Sequence, residues 1–389
     1  MKQKTICVLT ATRAEYGILK RLILELQTVS EFCVKVVVTG MHLSPEFGNT
    51  YQEIEQDGIE IDRKIPILSG GDTPASVSAD MGKALIEFGK YFEEVQPDAL
   101  VVLGDRYETL AVCIAAMNQR IMIAHLHGGE LTEGAIDDAI RHSITKMSYL
   151  HFTSTEEYRK RVIQLGENPE RVYNVGALSV ENIMEQPLLL KSELEQAIDF
   201  VLGDCYGVVT FHPVTLEGNT VQEQMEELVK ALISQENVKY LVTKANADAG
   251  GRTINDLWEE YESRYRGQLK VVDSLGMQKY LSALKYCAMV IGNSSSGITE
   301  APIFHVPTIN IGDRQKGRMR VESILDCRPV AEEIVTAMKT ALSEEFRERI
   351  QKQDNPYGCG KTSAKITKVM KQVLLEGTPD LKKKFYDLI

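Results

Sequence analysis

No apolar stretch of this 389-residue sequence approaches the ~20 residues a membrane-spanning helix requires. The opening segment Met1–Cys7 also lacks the apolar core of a secretory signal. A cytoplasmic protein without a membrane partner is expected. Positive charge is in deficit: 44 Lys and Arg against 55 Asp and Glu give a formal net charge of −11. Nucleic-acid-binding domains carry a basic face, so that class is disfavoured. Paired cysteines are missing as well. Seven Cys stand at 7, 33, 113, 205, 287, 327 and 359, an odd number with no CxxC, and free thiols in a reducing compartment are expected. There is no low-complexity tract, no short repeat and no GxGxxG loop; the last absence argues against a dinucleotide site.

What is present is alternation. Short β-rich runs (Thr5–Leu9, Val34–Thr39, Leu100–Leu103, Ile121–His125, Tyr173–Val175, Val208–Phe211, Tyr240–Thr243, Met289–Ile291, Thr308–Ile311) are separated by helical patterns. These include Tyr16–Gln27, Ala79–Val95, Arg106–Met117, Asp137–Met147, Glu156–Leu165, Gln222–Ile233, Thr253–Tyr261 and Gly297–Phe304. Such alternation predicts an α/β protein with parallel sheets covered by helices. The regularity breaks at Gln186-Pro187, which places one Rossmann-like domain over residues 1–186 and a second over 187–361. The last helical stretch, within 362–389, is expected to pack back onto the first domain. In open α/β sheets, ligands bind beyond the carboxyl ends of the strands. The residues that follow the strands are Arg13, His42, Asp105, Arg106, His127 and Glu130 in the first half, and His212, Asn246, Ser294, Ser295 and Arg314 in the second. Two such edges facing one another would make one central cleft.

Several of these positions carry recognisable chemistry. Gly292-Asn293-Ser294-Ser295-Ser296-Gly297 joins a strand to a helix; small residues permit close approach to a ligand, and a helix start offers N–H groups to a diphosphate. Glu300, one turn on, can accept from ribose hydroxyls. Arg13 follows the first strand and suits a phosphate. Gly104-Asp105-Arg106, His127 to Glu130 and Asp137 to Arg141 bring carboxylates from successive strand ends, able to raise one another's proton affinity and act as acid and base. Asp137 and Arg141 share a helix face. His125-x-His127 with Glu130 invites a metal reading, yet no third His or Cys stands at helical spacing as in HExxH. No metal and no cofactor are expected. Gly358-Cys359-Gly360-Lys361-Thr362 ends like a P-loop, but Asn355 stands where the motif needs Gly.

On these residues the sequence resembles the hydrolysing UDP-N-acetylglucosamine 2-epimerases of sialic-acid and related nonulosonic-acid synthesis. The likeness runs through Thr12 to Tyr16, Val38 to His42, Tyr51 to Asp57, Gly104 to Arg106, Ile140 to Lys146, Phe211 to Thr215, Gly292 to Gly297 and Gly312 to Gln315. It implies a glycosyltransferase-B-like fold and a homodimer or dimer of dimers. It implies that a UDP-N-acetylhexosamine and water become the free 2-epimer and UDP; N-acetylmannosamine would come from UDP-GlcNAc. Arg13, Arg106, His212, Asn246, Ser294, Ser295, Glu300 and Arg314 would hold the nucleotide. His42, Asp105, His127, Glu130, Asp137 and Arg141 would surround the sugar. Many members acting on UDP-GlcNAc carry Glu where this chain has His127, and their turn before the Asp-Asp pair is one residue shorter. Relatives that use a UDP-2,4-diacetamido-trideoxyhexose are the alternative, as is a glycosyltransferase of the same fold.

Overall fold

The computed structural model describes residues 3–70, 73–131, 136–212, 221–244, 251–273, 275–316, 319–358, 360–377 and 379–388. The chain divides into two compact units, Met1–Asn182 with Pro356–Ile389, and Ile183–Asn355.

The first unit is built on seven parallel strands: β1 (Lys4–Thr10), β2 (Phe32–Thr39), β3 (Ile61–Ile65), β4 (Ala99–Leu103), β5 (Met122–Leu126), β6 (Leu150–Thr153) and β7 (Val172–Asn174). Their spatial order is β3-β2-β1-β4-β5-β6-β7. The central strands β4 and β5 are buried along their whole length, as expected of a parallel sheet covered on both faces. One face packs against helices Arg13–Gln27 and Thr362–Lys371, the other against Pro74–Val95 and Tyr107–Asn118. The sheet reverses direction of growth between β1 and β4, so the turns after these two strands open a crevice at the switch point.

The second unit repeats this plan with β8 (Tyr206–Thr210), β9 (Lys239–Thr243), β10 (Leu269–Val272), β11 (Met289–Gly292), β12 (Thr308–Ile311) and β13 (Ile324–Cys327), in the order β10-β9-β8-β11-β12-β13. Its switch point lies between β8 and β11. Trp258, fully buried, anchors one face. Among the described residues no helix is long and apolar enough to cross a membrane. Cys7, Cys113 and Cys287 are buried free thiols; Cys359 lies outside the described residues.

Two expectations change. The division placed at Gln186-Pro187 falls after Asn182, within helix Leu178–Glu185. Asn182 donates to the Gly17 carbonyl at 2.8 Å, whereas Ile183 joins the core of the second unit. The helix expected over Gly297–Phe304 is two pieces, Ser295–Thr299 and a 3₁₀ turn at Ala301–Phe304, because Pro302 supplies no N–H to continue the ladder. The last helical stretch runs over Thr362–Glu376, within the expected segment, and packs onto the first unit; residues 379–388 have no regular structure.

Candidate active site

In the first unit, β1 delivers Thr12, whose hydroxyl caps helix Arg13–Gln27 by accepting from the Glu15 N–H at 3.3 Å. The Glu15 carboxylate returns the contact, accepting from the Ala11 and Thr12 N–H groups at 2.7 and 3.1 Å. Burial pushes the Glu15 carboxyl up to about 7. Sequence reasoning passed over Glu15, although the Thr12-x-x-Glu15 spacing is the signal that marks it.

A cavity of about 290 Å³ opens here, lined by Glu15, Asp105, Arg106, His127, Glu130 and Arg141 among others. Five of the predicted residues therefore meet at one point. Arg141 is buried on the first turns of helix Asp137–Met147 and ties the group together. Its guanidinium pairs with Asp105, with the Asp138 carboxylate at 2.8 Å and with the Glu130 carbonyl at 2.7 Å. The ion partner on the helix is thus Asp138, not Asp137. Asp137 is half-buried at the head of the same helix, and its charge is felt at Asp105. Burial pushes the Asp105 carboxyl up, aided by Asp137 and Glu130 and opposed by Arg141. At Glu130, burial acts in the same upward sense. It is outweighed by the charge and hydrogen bond of His127, with Ser154 and Arg141, so this carboxyl sits below its ordinary value. His127 Nδ1 lies 3.2 Å from Glu130, and the Ser154 hydroxyl donates to the same oxygen at 2.8 Å.

His127 has a left-handed backbone, φ +63°. That turn breaks the alternation along β5, so His125 and His127 do not act as a ligand pair. His125 is fully buried and faces the Gly104 carbonyl at 2.8 Å and the Thr145 hydroxyl at 3.2 Å. His42 is also fully buried; its ring nitrogens face Thr10 and Thr50 at 3.0 and 2.7 Å, and it does not line the cavity. Burial holds it down at about 4. Arg13 is exposed and paired with Glu53 at 3.0 Å. Arg106 bonds the buried Glu108 carboxylate at 2.5 Å.

The second unit holds a cavity of about 390 Å³, lined by His212, Ser294 and Glu300 and, unanticipated, by Thr210, Tyr280 and Ser296. Asn293 fixes the switch point: its side chain accepts from His212 N–H at 2.7 Å and donates to His212 carbonyl at 2.9 Å. Ser294 caps the short helix by accepting from Ser296 N–H. The Ser296 hydroxyl donates to Glu300 at 2.7 Å, so the Tyr280 hydroxyl, 2.6 Å away, must donate to Ser296. Burial pushes the Glu300 carboxyl up. Ser295 and Arg314 do not line this cavity; Arg314 reaches the Asn293 carbonyl at 3.1 Å. Asn246 lies outside the described residues. The glycines serve packing, not ligand approach. A Cβ on Gly292 (φ +132°) would meet the Thr210 carbonyl at 1.9 Å, and one on Gly297 would meet Thr308 at 2.6 Å.

A family model described as UDP-N-acetylglucosamine 2-epimerase matches residues 24–371. The chain belongs to this family. Within it, the chain is 44% identical to the Campylobacter jejuni protein named GDP/UDP-N,N'-diacetylbacillosamine 2-epimerase (hydrolyzing), over all of both chains. It is 40% identical to the Escherichia coli polysialic acid biosynthesis protein P7, over 99% of this chain and 98% of that one. Its fold is that of the Neisseria meningitidis UDP-GlcNAc 2-epimerase solved with UDP-GlcNAc bound: TM-score 0.76 at 19% identity, covering 95% of this chain and 99% of that one. These are two parallel-sheet α/β domains of the glycosyltransferase-B-like kind.

Proposed function

We propose that this family member is a hydrolysing UDP-sugar 2-epimerase whose substrate is UDP-N,N'-diacetylbacillosamine, a UDP-2,4-diacetamido-trideoxyhexose. The observation that carries the sugar is the 44% identity, end to end, to a relative named for the GDP- or UDP-linked form of N,N'-diacetylbacillosamine. The UDP form is taken from the 32% identity to the Legionella pneumophila protein named UDP-N,N'-diacetylbacillosamine 2-epimerase (hydrolyzing). His127, where many members acting on UDP-GlcNAc have Glu, supports the same reading.

The reaction removes the C2 proton and expels UDP from C1, leaving a glycal. Water then adds, its hydroxyl to C1 and a proton to C2 on the opposite face. The balance is substrate plus water giving the free 2-epimer plus UDP. Two groups of opposed proton affinity suit proton transfer on two faces. Glu130, whose proton affinity His127, Ser154 and Arg141 lower, accepts the C2 proton; Asp105, whose proton affinity burial raises against the pull of Arg141, exchanges the proton on the other face. Arg141 pairs with the Asp105 carboxylate and holds the Glu130 backbone carbonyl, while His127 and Ser154 hold the Glu130 carboxylate. In the second unit, Ser294, Ser296, His212 and Glu300 hold the nucleotide, with Arg314 at the neighbouring Asn293 carbonyl to offset diphosphate charge; in the first unit, Arg106 supplies positive charge to its own cavity.

A second reading, UDP-GlcNAc to N-acetylmannosamine, is favoured by the 30% identity, over 87% of this chain, to a Neisseria meningitidis protein named UDP-N-acetylglucosamine 2-epimerase. Incubating the purified protein in deuterated water with each nucleotide sugar separates the readings. Release of UDP with deuterium at C2, and the higher kcat/KM on the diacetamido sugar, is expected. A higher kcat/KM on UDP-GlcNAc selects the second reading. UDP release without deuterium at C2 removes the epimerase altogether and leaves a transferase or simple hydrolase.

A further inference from the structure

Residues 379–388, which have no regular structure and do not line the cavity, run along the first unit as a strap. Lys383 on this strap is only 21% exposed and spends all three ammonium donors. They go to the Glu167 carboxylate at 2.6 Å, to the Lys146 carbonyl at 2.9 Å and to the Ser148 carbonyl at 2.7 Å. The last two carbonyls terminate helix Asp137–Met147, so the ammonium also sits at the negative end of the helix dipole. Glu167 is 2% exposed and gathers Lys146 at 2.6 Å and His151 of β6 at 3.0 Å. Phe385 packs so closely on Gly166 that a Cβ there would meet the ring at 2.3 Å, and Tyr386 N–H donates to the Gly166 carbonyl at 3.0 Å.

That helix has 11 residues and, at 1.5 Å per residue, is about 16 Å long. Its far end carries Asp137, Asp138 and Arg141. Along its length it is held mainly by Ile140 and Ile144, whose apolar contacts resist lifting more than sliding. Directional contacts come from Arg141 to Asp105 and the Glu130 carbonyl at the N-terminal end, from Thr145 to His125, and from the clamp around Lys383 at the C-terminal end, so the strap is the anchor that sets where the Arg141 end must fall. We infer that Lys383 is a positioning residue: the strap fixes the axial register of helix Asp137–Met147 and thereby the placement of Arg141 against Asp105. The catalytic part of this inference rests on the function proposed above. A displacement of about 1 Å at a reacting group can cost as much as ~100-fold in rate, so a loosened register is read in turnover.

The test uses Lys383→Met in the full chain, with two readouts. In steady-state kinetics on the nucleotide sugar, kcat falls roughly tenfold while KM stays within about threefold, because the nucleotide-holding residues lie in the other unit. In backbone hydrogen exchange, protection falls at the Asp138–Arg141 end as well as at Lys146–Ser148. Phe385→Ala, which loosens the strap without burying an unpaired charge, gives the same pattern more weakly and serves if Lys383→Met does not fold. Faster exchange confined to Lys146–Ser148, or an unchanged kcat in a folded variant, overturns the inference. Absence of C2 exchange in the unaltered protein instead overturns the proposed function, and the exchange pattern alone then decides on the register.

Discussion

The Nε2 atom of His125 lies 2.8 Å from the carbonyl oxygen of Gly104. A carbonyl only accepts, so Nε2 carries the proton and Nδ1 is an acceptor facing the Thr145 hydroxyl, whose one proton also has the Arg141 carbonyl within 3.0 Å. The buried ring thereby holds the turn that aims Asp105 into the cavity. Burial depresses this imidazole to about 3, and His42 to about 4, from a reference of 6.5. Groups depressed in the folded state give stability that is present above the unfolded value and is lost as pH falls toward the folded one. From pH 7 to 5, each histidine then removes about 2 kcal/mol. Urea denaturation at pH 7 and pH 5 should show this loss, and His125→Gln should show a shallower one. Equal stability of the unaltered protein at the two pH values would contradict the neutral, buried histidines.

Asp105→Asn and Glu130→Gln test the opposed carboxyls. Each should lower kcat by about 10²–10⁴-fold, the usual range for a lost acid or base. Titration calorimetry with UDP should give affinities close to the unaltered protein's, since the nucleotide-holding residues lie in the second unit. Full turnover in either variant would take that residue out of the chemistry.

Glycine substitutions should separate packing from conformational freedom. Gly292→Ala places a methyl inside the Thr210 carbonyl contact and keeps a strained φ, so a loss of roughly 3 kcal/mol or more is expected. Gly17 sits exposed within helix Arg13–Gln27 with open space around it. Gly17→Ala should stabilise by about 0.5–1 kcal/mol through the helix preference of alanine. Thermal unfolding of both variants reads the contrast; a harmless Gly292→Ala would mean that β11 can shift away from β8.

The sequence made the switch-point residues legible because there a polar side chain directly follows an apolar run, as at Asp105 after β4 and Ser294 after β11. Four strands escaped notice. β3, β10 and β13 are edge or near-edge strands interrupted by charge (Asp62, Arg63, Lys64; Lys270; Asp326), which edge strands carry to discourage pairing. β6 is interior, but its run contains His151, whose burial depends on the distant Glu167. Tyr280 and Lys383 were invisible for a related reason. Tyr280 reaches its cavity from a helix, not from a strand end. Lys383 takes its meaning from Lys146, 237 residues earlier in the chain, and no local periodicity announces such a partner.

Tyr280, Ser296 and Glu300 form a directed chain of hydroxyls ending on a half-buried carboxylate. If this cavity holds the nucleotide, the chain orients Glu300, and breaking it weakens binding without touching the sugar chemistry. Tyr280→Phe removes one neutral hydrogen bond and should cost about 0.5–1.5 kcal/mol in UDP affinity, whereas Arg314→Ala removes a charged contact and should cost about 1.5–3 kcal/mol. Calorimetry with UDP checks both, and kcat at saturating substrate should stay near that of the unaltered protein for Tyr280→Phe. Should both variants bind UDP as tightly as the parent, the nucleotide is held elsewhere, because neither the hydroxyl chain nor the arginine that reaches Asn293 would then be near it.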